Sequence, residues 1–137
     1  MSVVNIPGII RGGQIEKYAE PARWTGTVQS GQAATGGLLV ESAAGDRVVR
    51  TAQATSMICV GMAIHDAAAA ATVSVASRGV WMLLADGTIG AGNKAITATS
   101  NPGRILVAAA TPDARSLVGR TLSDVTVGNL VPTILDA

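Results

Sequence analysis

The stretch MICVGMAIHDAAAAATVSVASRGVWMLLADG, residues 57–87, decides the fold. Met57–Ile64 is a compact apolar run, Thr72–Ser77 alternates polar and apolar residues, and Val80–Ala85 is apolar again. Each is four to eight residues long and rich in Val, Ile, Leu or Thr, as strands are. Between the first two lies Ala67–Ala71. Alanine is the best helix former, but five residues are too few to nucleate a helix, so a loop or one helical turn is expected. Asp86-Gly87 is the pair favoured in tight hairpins.

The same rhythm extends in both directions. Trp24–Gln29, Gly37–Ser42 and Arg47–Ala52 precede the stretch; Lys94–Thr99, Arg104–Ala109, Leu117–Leu122 and Leu130–Leu135 follow it. Runs about ten residues apart with turn residues between them are the pattern of a barrel or sandwich. Ala44-Gly45-Asp46 and Asn101-Pro102-Gly103 are natural turns, and Thr111–Arg115 suits a single helical turn. The expected fold class is all-β, a barrel or sandwich over residues 23–137. At an offset of 58 residues, Gly45 matches Gly103, Val60-Gly61 matches Val118-Gly119, Ile64 matches Leu122 and Asp66 matches Asp124. Two similar sub-motifs in one β unit are expected from this, without a claim of duplication.

Residues 1–22 differ. Pro7-Gly8, Gly12-Gly13 and Glu20-Pro21 break any periodicity, so an extended N-terminal arm is expected. Yet the segment carries Val3, Val4, Ile6, Ile9, Ile10, Ile15 and Tyr18, residues that disordered tails lack. These seven, with Trp24 at the start of the β region, are the expected contacts to a shell or a neighbouring subunit. Extended, the arm reaches at most about 70 Å.

Composition narrows the function. The chain has 137 residues, 48% of them hydrophobic, and no Phe. Only 14% are charged, against a usual figure of about 25%. So little charge on a small domain points to an exterior covered by copies of itself or by another protein. The net charge is +1, and no Lys/Arg cluster stands out, which argues against nucleic acid as a partner. No apolar window approaches the ~18 residues that cross a bilayer, and no signal peptide is expected. The single Cys59, in an apolar run, reads as a small buried hydrophobe.

No catalytic, cofactor-binding or metal-ligating residue is expected. The one histidine, His65, precedes Asp66, but adjacent strand residues face opposite sides, and no nucleophile elbow accompanies them. One His and one Cys make no zinc site, and the nine acidic residues are scattered singly. Gly87–Lys94 is glycine-rich but lacks P-loop spacing and a following helix.

Val60–Ala67 followed by Ala71–Val80, then Gly90-Ala91-Gly92-Asn93-Lys94-Ala95 and Leu117–Leu122, resemble the capsid cement proteins of tailed bacteriophages, the small all-β decoration family. The resemblance covers roughly residues 24–135 and is a pattern of Gly turns and Val strands. It implies a compact β-barrel or β-tulip-like fold and a homotrimer on the outer surface of an icosahedral head, bridging major capsid protein subunits; synthesis in the host cytoplasm is expected from the residues themselves. It brings no catalytic residues and fixes no contact residues. The alternative is another β-rich virion component, such as a tail or glycan-binding adhesin module, which would display Trp24 or Trp81 in a groove.

Overall fold

The computed structural model describes residues 23–137. All ten expected strands form: β1 Arg23–Val28, β2 Leu39–Ser42, β3 Val48–Thr51, β4 Cys59–Ala63, β5 Thr72–Ala76, β6 Arg78–Leu84, β7 Lys94–Thr97, β8 Ile105–Val107, β9 Leu117–Thr121 and β10 Leu130–Asp136. The ends differ from the sequence reading by a few residues. One 3-10 turn, Ala114–Ser116, is capped by the Asp113 carboxylate, which accepts from the Arg115 N–H. It begins beyond Pro112, later than the turn expected over Thr111–Arg115.

The strands do not make one barrel. The first five close on themselves in the order β1-β3-β2-β4-β5, and the last five form a sheet in the order β6-β10-β9-β7-β8. A parallel bridge from Ala85 to Ile105 draws the ends of the second sheet together. Substituting β6 for β1, β7 for β2, and so on, turns one order into the other.

The correspondence extends to register. Trp24 faces Val75 across β1–β5, and Trp81 faces Thr133 across β6–β10. Val40 pairs with Gly61 and Glu41 with Cys59 around a bulge; Ala95 pairs with Gly119 and Ile96 with Leu117 around the same bulge. The bridge from Ala34 to Ala67 recurs from Ile89 to Val125. The Asp66 carboxylate accepts from the Gly36 N–H and the Asp124 carboxylate from the Ala91 N–H, both at 2.8 Å. The protein is one five-stranded module built twice. Of the pairs found at a fixed offset, all coincide in space except Gly45 and Gly103, since Gly45 lies four residues before Val49 and Gly103 two before its equivalent, Ile105.

Ala70 and Gly128 are also equivalent, and both have positive φ, 64° and 82°. Alanine there bears strain that glycine avoids, about 1–2 kcal/mol, partly offset by glycine's larger entropy loss. Ala70→Gly is therefore expected to stabilise the protein by about 0.5 kcal/mol. A lower melting temperature for this variant would contradict the assignment of equivalence.

Two cores result. Val28, Val40, Val49, Val73 and Val75 fill the first barrel. The second core contains Leu83, Ile89, Ile105, Val118 and Val131, and it runs on to Leu39, Ala52, Met62 and Ala76 of the first barrel, so the modules share apolar packing. Equivalent positions trade volume: Gly26, Val28, Ala34 and Val40 in one become Leu83, Ala85, Ile89 and Ala95 in the other. Total volume matters more than identity at each site. The turn at Gly103 sews the modules together, donating to the Ala52 carbonyl and accepting from the Leu39 N–H, both at 2.8 Å. The expected Asp86-Gly87 hairpin is absent because β6 and β7 are not neighbours. Asp86 instead accepts from Asn101 and faces Arg104 at 3.7 Å.

Candidate functional site

Alternation along β6 and β10 sends Leu83, Val131, Thr133 and Leu135 into the core. The opposite face carries Val80, Met82 and Leu84 from β6 and Leu130, Pro132 and Ile134 from β10. They stand in three cross-strand pairs: Val80 with Ile134, Met82 with Pro132, Leu84 with Leu130. Val80, Met82, Leu130 and Ile134 are 44–58% exposed, and Leu122 extends the patch from the end of β9. Pro132 is tolerated because its nitrogen would serve only the end of the β9 ladder, where its carbonyl accepts from the Leu122 N–H at 2.8 Å.

The first module supplies an internal comparison. Its same six positions are Arg23, Thr25, Thr27, Thr72, Ser74 and Ala76. Five of these six are hydroxyl or charged residues and the sixth, Ala76, is buried in the shared core, whereas the six of the second module are all apolar on the same backbone. The fold does not require the apolar face. Contiguous apolar surface that the fold does not require makes this ribbon the candidate interaction site.

Beside the ribbon lies a shallow cleft of about 300 Å³, lined by Lys94, Leu117, Gly119, Arg120, Ile134 and Asp136. Arg120 and Lys94 border the apolar strip, and Arg120 donates to the Gly92 carbonyl. A second cleft of about 470 Å³, near Thr88, Val125 and Leu130, contains one carboxylate, Asp124, already used by the Ala91 N–H. Among the described residues no three His, Cys, Asp or Glu side chains gather as a metal site would require. None of their helices is long and apolar enough to span a membrane.

His65 and Asp66 do not bond through their side chains. The His65 Nε2 accepts from the Ser74 N–H at 3.2 Å, which leaves Nδ1 to donate to the Asp66 carbonyl at 2.9 Å. Cys59 is packed against the shared core, and burial pushes its thiol up to about 11, away from thiolate reactivity.

The seven contact residues expected in the arm, Val3, Val4, Ile6, Ile9, Ile10, Ile15 and Tyr18, lie outside the described residues. Trp24 lies within them, half-buried against the first core. Its ring lies over Gly26, where the second module has Leu83. Trp81 is its counterpart, half-buried against the shared core, with Nε1 donating to the Arg78 carbonyl at 2.9 Å and the Arg23 guanidinium 5.3 Å from the ring centre. Both rings thus serve equivalent packing roles. The apolar ribbon is not legible in the sequence because Val80–Ala85 is apolar at every position, so alternation marks neither face; the exposure of Val80 and Met82 beside buried Leu83 shows one face open.

No family model and no curated protein sequence matches the chain. Among solved structures, it is similar to the N base of head fiber gp8.5 of bacteriophage phi29, with a TM-score of 0.64 and 18% identity over 85% of this chain and 95% of that one. That share is too large for one module, so the likeness takes in both. At this identity it is a likeness of fold.

Proposed function

We propose that the protein is a structural component of a phage virion, a decoration protein that binds the outer surface of an icosahedral head and stabilises it by bridging major capsid protein subunits as a homotrimer. The observation that carries this is the apolar ribbon on the second module, a face the first module shows to be unnecessary for folding. The fold shared with a phage head-fiber base supports placing that surface on a virion. We propose no enzymatic activity for it.

The mechanism is linkage. A protein that binds joined capsomers and not separated ones stabilises the joined state by mass action. Three linked copies raise the effective concentration of each contact, so each can be weak. The apolar residues of segment 1–22 add further contacts to the shell. Full-length protein is expected to co-sediment with mature heads of its own phage, and a form lacking residues 1–22 to bind at least tenfold more weakly. Equal binding by the two forms would remove the arm from the mechanism. No co-sedimentation of the full chain would remove the head as its target.

A further inference from the structure

The modules also differ where one of them is covered. In the first, Leu39, Met62 and Ala76 stand side by side across β2, β4 and β5, buried in the shared core. Register makes Lys94, Arg120 and Ile134 their equivalents across β7, β9 and β10. These three are exposed and line the cleft of about 300 Å³ beside the ribbon. Lys94 and Arg120 sit directly opposite each other, an arrangement that like charges disfavour. Among the described residues neither is in an ion pair, and Arg120 meets only the neutral Gly92 carbonyl. Arg78 joins them on this face from the start of β6, opposite Asp136, the one acid among the strand residues here. Counting side chains, three cations meet one carboxylate, and two positive charges are left over.

We propose that residues 16–20 of the same chain lie extended along this face, with Glu20 meeting Arg78, Tyr18 covering Ile134, and Glu16 meeting Arg120 and Lys94. The first observation that chooses this occupant is where the chain enters. Arg23 is the register partner of Ala76, and the Ala137 N–H donates to the carbonyl of the next residue, Ser77, at 3.1 Å. The described chain therefore starts within about 15 Å of the end of β10. From there the face runs back along β10, with Asp136 opposite Arg78 and then Ile134 beside Arg120. Residues 20, 18 and 16 can reach at most about 10, 17 and 24 Å from Arg23. Arg78, Ile134, and Arg120 with Lys94 come in that same order away from the entry.

The second observation is charge and period. Glu16 and Glu20 are the only acids in residues 1–22. With Tyr18 they recur every second residue, which puts all three on one side of an extended segment. Two carboxylates match the two positive charges left over, and the tyrosine ring supplies apolar area for Ile134. The contact stands apart from the head reading; it leaves Val3, Val4, Ile6, Ile9 and Ile10 for the shell.

Trypsin tests this on the full chain. A segment held on the body must come free before a protease can take it, so cleavage after Lys17 tracks the free fraction. Arg11, outside the contact, is the internal reference. Arg120→Glu and Lys94→Glu are each expected to speed cleavage after Lys17 at least tenfold relative to cleavage after Arg11, read from the masses of the released peptides. Arg47→Glu, the same charge change on the first module, is expected to leave both rates as in wild type. Circular dichroism melting confirms that each variant is folded. Equal rates at Lys17 for wild type and both cleft variants overturn the proposal. So does equal acceleration by Arg47→Glu, which would make the effect one of net charge. Protection of Lys17 that grows with protein concentration also overturns it, because the segment would then be seated on a second copy. Head co-sedimentation separates the two readings: head binding with Lys17 equally open in every variant refutes this contact alone, and a protected Lys17 in a protein that ignores heads refutes the head alone.

Discussion

Gly119→Ala is expected to destabilise the protein by about 3 kcal/mol or more, at the upper end of what overpacking costs. A methyl group at this position would overlap the backbone carbonyl oxygen of Ile134 on the neighbouring strand β10. A flexible side chain can step aside; a ladder carbonyl inside a sheet cannot. Gly61, the same position in the first module, has the same conflict with the carbonyl of Ala76. Two independent copies thus keep glycine where the bulge brings one strand's backbone against the next. Gly128→Ala is the matched control. Nothing lies within 4 Å of its added carbon, and the first module already accepts alanine there as Ala70, so a loss of only about 1 kcal/mol is expected. Urea titration of both variants decides it. If Gly119→Ala unfolds no more readily than Gly128→Ala, the close approach of β9 to β10 is wrong.

That pair also shows what the sequence could and could not reveal. Gly61 and Gly119 were visible as a match at 58 residues because β4/β9 and β5/β10 keep that spacing. Between β1 and β6 the spacing is 57, as from Trp24 to Trp81, and between β2 and β7 it is 55, as from Leu39 to Lys94. Loops that grow or shrink by one or two residues hide a repeat from any single offset while leaving the strand register intact. The paired tryptophans, Trp24 and Trp81, therefore do not match at the 58-residue offset. Strand identity was legible because Val, Ile and Thr alternation is a local property. Strand order was not, since β1 meets β5 and β6 meets β10 through contacts some fifty residues apart, and no local pattern records them. The exposed ribbon depends on that order, so it was beyond reach for the same reason.

Replacing Glu41, Arg50 and Ser56 together by Ile, Leu and Ala is expected to leave stability within about 1 kcal/mol of wild type, whereas Glu41→Ala alone costs about 3 kcal/mol. The side chain of Glu41 is only 3% exposed. It meets the Arg50 guanidinium at 2.7 and 2.8 Å and the Gln53 N–H at 2.9 Å. Burial works to raise its pKa, but hydrogen bonds from the Ser56 hydroxyl, the Gln53 N–H and Arg50, with the charge of Arg50, hold it below the usual carboxylate range. Removing the carboxylate alone strands those donors. Removing the whole group leaves only the N–H of the exposed Gln53 without its acceptor, where water can replace it, and the second module shows the outcome: the equivalent cross-strand pair is Ile96 and Leu106, and Ala114 stands in the place of Ser56. The pH dependence follows from the direction of the shift. A depressed folded pKa contributes stability above the unfolded value near 4.5, and that contribution is lost as pH falls through the lower folded value. Wild type is therefore expected to weaken below about pH 4.5 by a component that the triple variant lacks. Urea midpoints at pH 7 and pH 3 for both proteins measure it. If the triple variant is as unstable at pH 7 as Glu41→Ala, the ion pair is an essential part of the first barrel and the second module is no guide to it.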